Sequence, residues 1–195
     1  MNLTEYFKAE FAEHHEVARS SEAALAEAFA KLVGACAKSV RGGGKLMFFG
    51  NGGSAADAQH LATELTVRYR KDRVAIAAIA LTTDGSALTA GGNDLGFERI
   101  FARQIEALGR PGDVVIAMST SGKSPNVIAA LKQARANGLV TAAFGGKGGS
   151  DMAPLADHLL AVPSLSTARI QEMHLALGQM LCGALEIELG LASRG

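Results

Sequence analysis

The first forty residues carry apolar side chains at helical spacing. No Gly or Pro occurs from residue 1 to residue 33, and apolar residues recur three or four positions apart throughout this stretch. Such spacing predicts one or two long amphipathic helices. The helical stretch should end at the glycine run that follows Arg41, because consecutive glycines favour a helix terminus.

After residue 44, short apolar runs alternate with helical segments. The short runs are apolar without alternation, which is typical of strands that are covered on both faces, and therefore of a parallel sheet. They predict five strands, at residues 45–50, 76–81, 113–118, 139–144 and 158–162. The Ala-rich run at 76–81 is equally compatible with a helix. Helices are predicted near residues 55–69, 97–108, 126–137 and 167–189.

This order of elements predicts an α/β protein. We expect a doubly wound, open sheet of about five parallel strands, flanked by helices and preceded by long N-terminal helices. Neither an internal repeat nor a linker interrupts the sequence pattern. One domain is therefore expected over residues 1–195, with an N-terminal helical segment at 1–41 and an α/β core at 42–195.

Composition narrows the class of protein. Hydrophobic residues make up 48% and charged residues 19% of the chain, as in a compact globule. Lys plus Arg and Asp plus Glu both number 19, which argues against a general nucleic-acid binder, because that class needs a basic excess. The first thirty residues contain six Glu and no long apolar run, so we expect neither a signal peptide nor membrane association. Cys36 and Cys182 form no disulfide framework, and we expect two reduced thiols in the cytoplasm.

Two predicted strands end in unusual loops, at the edge of the sheet where ligands of open parallel sheets bind. The first, the glycine loop, comprises residues 50–54 (GNGGS) and precedes a predicted helix. Its glycines allow a ligand to approach the backbone, and the helix N-terminus favours an anion. A tight turn capped by Asn51 or Ser54 explains the same residues equally well. The loop matches no nucleotide-binding fingerprint.

The second loop, the serine loop, comprises residues 119–125 (STSGKSP) and also precedes a predicted helix. Ser119, Thr120, Ser121 and Ser124 place four hydroxyls within six residues. Hydroxyls and helix N–H groups together can bind phosphate without a fixed cation. A serine-capped turn before the proline is the alternative, but four hydroxyls exceed what capping requires. We therefore predict a phosphate site in this loop.

Polar residues on two predicted helices add candidate chemistry. His60 and Glu64 are four residues apart and so lie on one helix face, where they can share a metal, exchange protons or form an ordinary surface pair. In the last predicted helix, Gln171 and His174 are three residues apart, and Gln179 follows two turns after Gln171. We expect His174 to be a structural core residue.

Asn93 and Asp94 lie in a further polar segment, between predicted helices, where they can cap the next helix or bind sugar hydroxyls. With the two loops and the last helix, this segment completes four sequence blocks. The blocks are residues 50–60 (GNGGSAADAQH), 91–101 (GGNDLGFERIF), 119–126 (STSGKSPN) and 168–174 (ARIQEMH). In order and spacing these blocks resemble the SIS (sugar isomerase) family, and within it the phosphoheptose isomerases. The resemblance covers nearly the whole chain.

This resemblance implies an aldose–ketose isomerase that converts sedoheptulose 7-phosphate into D-glycero-D-manno-heptose 7-phosphate, for the heptose precursors of the lipopolysaccharide core. It also implies a homotetramer with sites at subunit interfaces, in which the helical segment at 1–41 takes part. The substrate-binding positions that it implies are Asn51, Gly52, Gly53, Ser54, Glu64, Asn93, Asp94, Ser119, Thr120, Ser121, Ser124 and Gln171.

Many members of the family also bind zinc and use two proton-transferring residues. By resemblance the zinc positions are His60, Glu64, Gln171 and Gln179, and the catalytic positions are Glu64, as the base, and Gln179. The family has a His where this chain has Gln179, and an amide exchanges no proton near neutral pH. One relative of this fold also lacks that His, namely the factor that associates with the replication initiator DnaA. A non-catalytic adaptor of this kind is the alternative function.

Overall fold

The computed structural model describes residues 2–193, in which helices and strands alternate after a long first helix. The elements are α1 (Leu3–Arg41), β1 (Leu46–Gly50), α2 (Gly53–Thr66), β2 (Ala78–Ala80), α3 (Gly85–Asp94), α4 (Ile100–Leu108), β3 (Val114–Ser119), α5 (Pro125–Ala136), β4 (Val140–Gly145), β5 (His158–Ala161) and α6 (Thr167–Glu188). Two 3₁₀ turns, Phe97–Arg99 and Ser150–Leu155, precede α4 and β5.

The five strands form one parallel sheet in the order β2-β1-β3-β4-β5. At its centre, β1 and β3 pair from Leu46 opposite Val114 to Gly50 opposite Met118, and every residue of both strands is buried. Continuous burial explains why these strands read as apolar runs without alternation. The predicted fold class, an open sheet of five parallel strands flanked by helices, is confirmed.

Each face of the sheet is covered by its own group of helices. α1, α2 and α6 pack on the face that includes Leu46 and Phe48, whereas α4 and α5 pack on the face that includes Met47 and Phe49. Successive residues of a strand point to opposite faces, so β1 supplies both hydrophobic cores in turn. The sheet is therefore wound on both sides, as predicted.

The N-terminal segment is one helix rather than two. Asn2 and Glu5 form a capping box that begins α1, with the Asn2 side chain accepting from the Glu5 backbone at 2.9 Å. The helix passes through Gly34 and ends at Arg41, where the glycine run was predicted to stop it. The division of the chain at residue 41 follows this boundary, and the role of 1–41 in oligomerisation stays a prediction.

Two elements differ from the sequence prediction. The strand predicted at 76–81 is confirmed only as the three-residue β2, because this edge strand pairs with β1 alone. The placement of residues 91–94 between helices is wrong, since Asn93 and Asp94 form the end of α3. The side chain of Asp84 caps this unpredicted helix by accepting from the backbone of Ala87 at 2.9 Å. The sequence did not predict α3, because its glycines are weak helix formers.

Between residues 2 and 193, none of the helices combines the length and the apolar character that a bilayer crossing requires.

Candidate active site

The carboxyl edge of the sheet between β1 and β3 is the position that we name the opening. α2 follows β1 and packs on one face of the sheet, whereas α5 follows β3 and packs on the other. The two connections therefore diverge from neighbouring strands, and such a switch point is where doubly wound sheets bind their ligands. The glycine loop and the serine loop, both singled out in the sequence, border this opening.

The glycine loop turns from β1 into the start of α2. Gly52 has a φ of +56°, which favours glycine. A Cβ atom at Gly53 would lie 2.4 Å from the amide nitrogen of Gln171, so a glycine is needed for this side chain to lie over the start of α2. No side chain caps α2, and the alternative of a turn capped by Asn51 or Ser54 is therefore wrong. The exposed helix start remains available to an anion.

A pair of asparagines joins the two loops. The amide nitrogen of Asn51 donates to the oxygen of Asn126 at 2.8 Å, and Asn126 donates back to the oxygen of Asn51 at 2.8 Å. Asn126 is buried in the first turn of α5, so the pair fixes the loops relative to each other. Sequence reasoning missed this role, although Asn126 ends the block at 119–126, because nothing local indicates which way its side chain turns.

The hydroxyls of the serine loop converge. The Oγ atom of Ser119 lies 3.5 Å from that of Ser121 and 3.3 Å from that of Ser124. The backbone N–H of Gly122 donates to Ser119 Oγ and that of Lys123 donates to Ser121 Oγ, both at 3.2 Å. Ser124 precedes α5 but its side chain makes no capping bond, so its hydroxyl is not used by the helix. This arrangement of hydroxyls at a helix start is what the predicted phosphate site requires.

His60, Glu64 and Gln179 form a second group, which we name the polar cluster. The Nε2 atom of His60 lies 2.9 Å from Oε1 of Glu64 and 2.8 Å from Nε2 of Gln179. Gln179 reaches α2 because α6 approaches it closely, and a Cβ atom at the neighbouring Gly178 would lie 2.4 Å from the side chain of Leu61. Sequence reasoning correctly placed His60 and Glu64 on one helix face.

The polar cluster has a donor set that fits zinc. The oxygen and nitrogen of an amide exchange places when the side chain turns, so Gln179 can present its oxygen beside the His60 nitrogen and the Glu64 oxygen. Zinc accepts nitrogen and oxygen ligands of these kinds. Within residues 2–193 no three His, Cys, Asp or Glu side chains come together, so an ion here would depend on an amide ligand.

Gln171 lies apart from the polar cluster. Its amide covers Gly53 at the start of α2, and in the described part of the chain it makes no hydrogen bond to His60, Glu64 or Gln179. Eight residues of α6 separate Gln171 from Gln179, a rise of about 12 Å. The structure thus places Gln171 beside the glycine loop, and its predicted metal role stays a prediction.

Of three further predicted substrate residues, two are exposed and one is half-buried. Asn93 and Asp94 are exposed, and the amide of Asn93 donates to Asp94 at 2.7 Å. Thr120 is half-buried between the converging serines. Within residues 2–193 the Asn93–Asp94 pair makes no hydrogen bond to either loop.

Burial shifts the pKa values of two groups near the opening. It raises the pKa of Asp57, one turn before His60 on α2. It lowers the pKa of His174 to about 4, although a hydrogen bond of 3.2 Å to the carbonyl of Gly145 opposes this shift. His174 is therefore neutral near pH 7 and supports the end of β4, which confirms the expectation that it is a core residue.

Comparison with known proteins identifies the family. The family model described as "SIS domain" matches residues 10–146. The chain belongs to the SIS domain family. Phosphoheptose isomerase from Paramagnetospirillum magneticum is 58% identical to this SIS domain over 186 residues, which are 95% of this chain and 97% of that protein. Phosphoheptose isomerase 1 from Campylobacter jejuni is 52% identical over 177 residues, 91% of this chain and 95% of that protein.

A solved structure agrees with these relatives. The phosphoheptose isomerase from Neisseria gonorrhoeae matches this SIS domain with a TM-score of 0.90 and 42% identity, over 95% of this chain and 100% of that chain. The predicted resemblance is confirmed. Since the relatives at 52% to 58% identity carry the name of an isomerase, they favour the enzyme over the adaptor.

Proposed function

We propose that this chain is a phosphoheptose isomerase, which converts sedoheptulose 7-phosphate into D-glycero-D-manno-heptose 7-phosphate. The observation that carries the proposal is that α2 begins in the glycine loop, which the Asn51–Asn126 pair joins to the serine loop, and bears Glu64 on a later turn. A phosphate held by the serine loop lets the sugar extend along α2 toward this carboxylate. The names of the relatives, which match over nearly their full length, support the same reaction.

Glu64 is the proposed base. Aldose–ketose isomerisation moves a proton between C1 and C2 through an enediol, and this needs a base beside the carbon. The Oε1 atom of Glu64 is bonded to His60 at 2.9 Å, whereas Oε2 has no hydrogen-bond partner within residues 2–193. Its side chain is 20% exposed, so it is open to a ligand yet oriented by its neighbour. Glu64 can therefore take the proton from one carbon and return it to the other.

The loops supply orientation. Ser119, Thr120, Ser121 and Ser124, with the N–H groups that begin α5, would hold the phosphate, and this fixes the far end of the sugar. Residues 51–54 and Gln171 line the adjoining part of the opening and would bind sugar hydroxyls. Gln179 cannot exchange a proton, but its amide can donate a hydrogen bond to a hydroxyl near the reacting carbons.

Zinc is part of the proposal. His60, Glu64 and Gln179 would hold the ion, with Gln171 as a possible fourth ligand from one end of the opening. A bound zinc ion supplies a Lewis acid that polarises sugar oxygens. His60 would then orient Glu64 and also fix the ion.

We propose a homotetramer as the working form, in the cytoplasm and in the supply of heptose precursors for lipopolysaccharide. Leu3, Phe7 and Phe11 are exposed at four-residue spacing and form one apolar stripe along α1. Such a stripe favours contact with another copy of the chain. The exposed Asn93–Asp94 pair would join the site from a neighbouring subunit.

The decisive test is the substitution Glu64→Gln, with NMR observation of sedoheptulose 7-phosphate over time. Wild-type protein should form the aldose, and Glu64→Gln should lose at least about a hundredfold in rate, as expected for removal of a general base. Glu106→Gln, at an exposed carboxylate on α4, is the matched control and should keep the wild-type rate. No conversion by the wild type would exclude the isomerase and favour the adaptor. Activity of Glu64→Gln near wild type would remove this residue from the mechanism.

A further inference from the structure

A buried ion pair joins α6 to the connection that follows α2. The Nε atom of Arg73, in the connection between α2 and β2, donates to Oε1 of Glu186 on α6 at 2.8 Å. The two side chains are only 3% and 2% exposed. The backbone N–H of Tyr69 also donates to this carboxylate oxygen, at 3.3 Å. The pair therefore connects the end of one helix of the candidate site with the other helix.

The Arg73 guanidinium also holds the last turn of α2 by its backbone. Its Nη2 atom donates to the carbonyl of Glu64 and its Nη1 atom to the carbonyl of Leu65, both at 2.7 Å. The last carbonyls of a helix lack partners within the helix. The Leu65 carbonyl also accepts from the backbone N–H of Ile76 at 3.0 Å, so of these two groups it is the Glu64 carbonyl that relies on the guanidinium. One of the two carbonyls belongs to the proposed base itself. The position of Glu64 along the helix axis thus depends on the place of the guanidinium.

Glu186 connects this anchor with the polar cluster through α6. It follows Gln179 by seven residues, which is two turns on the same helix face. Along this part of α6 the helix touches α2 and the segment after it, since a Cβ atom at Gly178 would lie 2.4 Å from the Leu61 side chain and one at Gly183 would lie 2.8 Å from the Tyr69 ring. Close contact prevents the two helices from moving apart, but it does not by itself prevent one helix from sliding along the other. The ion pair opposes that sliding.

We propose that Arg73 and Glu186 are positioning residues, which fix α2 and α6 lengthwise so that Glu64 and His60 face Gln179. This inference rests on the proposed isomerase function for its kinetic consequences. It explains why an ion pair is kept in a nearly dry position, where apolar residues of similar volume commonly give equal or better stability. The guanidinium bonds a carboxylate and four backbone carbonyls at once, which an apolar pair cannot reproduce.

The double variant Arg73→Met with Glu186→Leu tests this role, because it removes both charges and so leaves no lone buried charge. We expect it to fold with a lower melting temperature than the wild type, because the Glu64 carbonyl and the Tyr69 N–H lose their side-chain partners. Its kcat should fall about ten- to a hundredfold, as displacement of catalytic groups by roughly 1 Å produces. Its KM should stay near the wild-type value, since the serine loop that anchors the phosphate is remote from the pair. A merely structural pair would leave kcat unchanged in the folded variant.

A matched control is the exposed ion pair between Arg41 and Glu188, whose side chains are 55% and 50% exposed. It joins α1 to α6 and does not touch α2, so Arg41→Met with Glu188→Leu should leave kcat and KM unchanged. Arg73→Lys should also lower kcat, because a lysine cannot bond the Glu186 carboxylate and the backbone carbonyls of α2 together.

The NMR signal of the His60 ring gives a readout that needs no turnover. It is assigned in isotope-labelled protein by its loss in His60→Asn, and it should move in Arg73→Met with Glu186→Leu but not in the control pair. If the wild type makes no aldose but the signal moves, the isomerase function fails and the positioning role stands. If the wild type is active and the folded double variant keeps its kcat or its His60 signal, the positioning role is overturned.

Discussion

The side chain at position 179 decides how the polar cluster can work. An imidazole would both bind a metal and exchange protons, whereas the amide of Gln179 can do only the former, and weakly. It nevertheless lies 2.8 Å from His60, so the position still belongs to the cluster. Of the two proposed catalytic positions, only Glu64 therefore carries a side chain that can transfer a proton.

This difference predicts a change in metal affinity. Protein purified without chelator should contain zinc near one ion per chain, and Gln179→His should bind zinc at least about tenfold more tightly, since even outer-shell partners change metal affinity by that factor. Elemental analysis and competition with a zinc-binding dye measure both quantities. Gln133→His, at an amide on α5, is the control for an added imidazole. Absence of zinc from the wild type, with unchanged turnover in chelator, would contradict the metal proposal.

Residues with local signals could be predicted, and residues with distant partners could not. The serine loop was found because its hydroxyls are adjacent in sequence, and His60 with Glu64 because four residues bring them to one helix face. Asn126 bonds a residue 75 positions away, and Arg73 one 113 positions away. Only the folded topology brings such pairs together, so neither carried a sequence signal.

At the scale of elements, buried strands were predicted well, because a strand that is buried on both faces consists almost entirely of apolar residues. β1, β3, β4 and β5 begin or end within one residue of the predicted runs. β2 is shorter than predicted because one edge of it has no partner strand among the described residues. α3 was missed because its cap, Asp84, precedes a glycine-rich sequence that does not favour a helix.

The contact between α2 and α6 leads to a prediction at this scale. Gly178→Ala should destabilise the fold by about 1–2 kcal/mol, because the cost of overpacking exceeds the gain in helix propensity. Leu61, which the added methyl would meet, is fully buried and cannot move aside. Gly183→Ala meets the Tyr69 ring at 2.8 Å, and that half-buried ring can swing.

Gly183→Ala should therefore be neutral or slightly stabilising, which makes it the matched control on the same helix. Urea unfolding gives the free energy of unfolding for both variants. Equal stability of the two would show that the helices are less tightly packed than the distances imply.

At the scale of the whole molecule, the first turns of α1 keep large apolar side chains that the chain itself does not cover. Over its first three turns Leu3, Phe7 and Phe11 remain 49% to 86% exposed, and the rings of Phe7 and Phe11 lie 4.8 Å apart. Burial of this stripe against other copies would recover hydrophobic free energy that the single chain leaves unused. The sequence predicted the helix, but its exposed stripe is visible only when the packing of the remaining elements is known.

Phe7→Glu with Phe11→Glu should convert the proposed tetramer into smaller species, because two charges would be buried in the contact. Size-exclusion chromatography with light scattering measures the mass, and circular dichroism checks that the fold is retained. Lys8→Glu places an acid at an exposed neighbouring position and should leave the mass unchanged. A wild-type protein of monomer mass would contradict the proposed assembly.

α2 begins in the glycine loop, which Asn51 joins to the serine loop, and it bears Glu64 on a later turn, so a rigid helix helps to set the distance between the proposed phosphate site and the proposed base. Ten residues separate Ser54 from Glu64, an axial rise of about 15 Å, which the tilt of helical side chains toward the N-terminus shortens. A sugar phosphate with fewer carbons, tethered at the same serines, would fall short of the carboxylate. Selection of substrates by their number of carbons would then need no residue that blocks shorter sugars, because only a substrate of sufficient length would extend to Glu64.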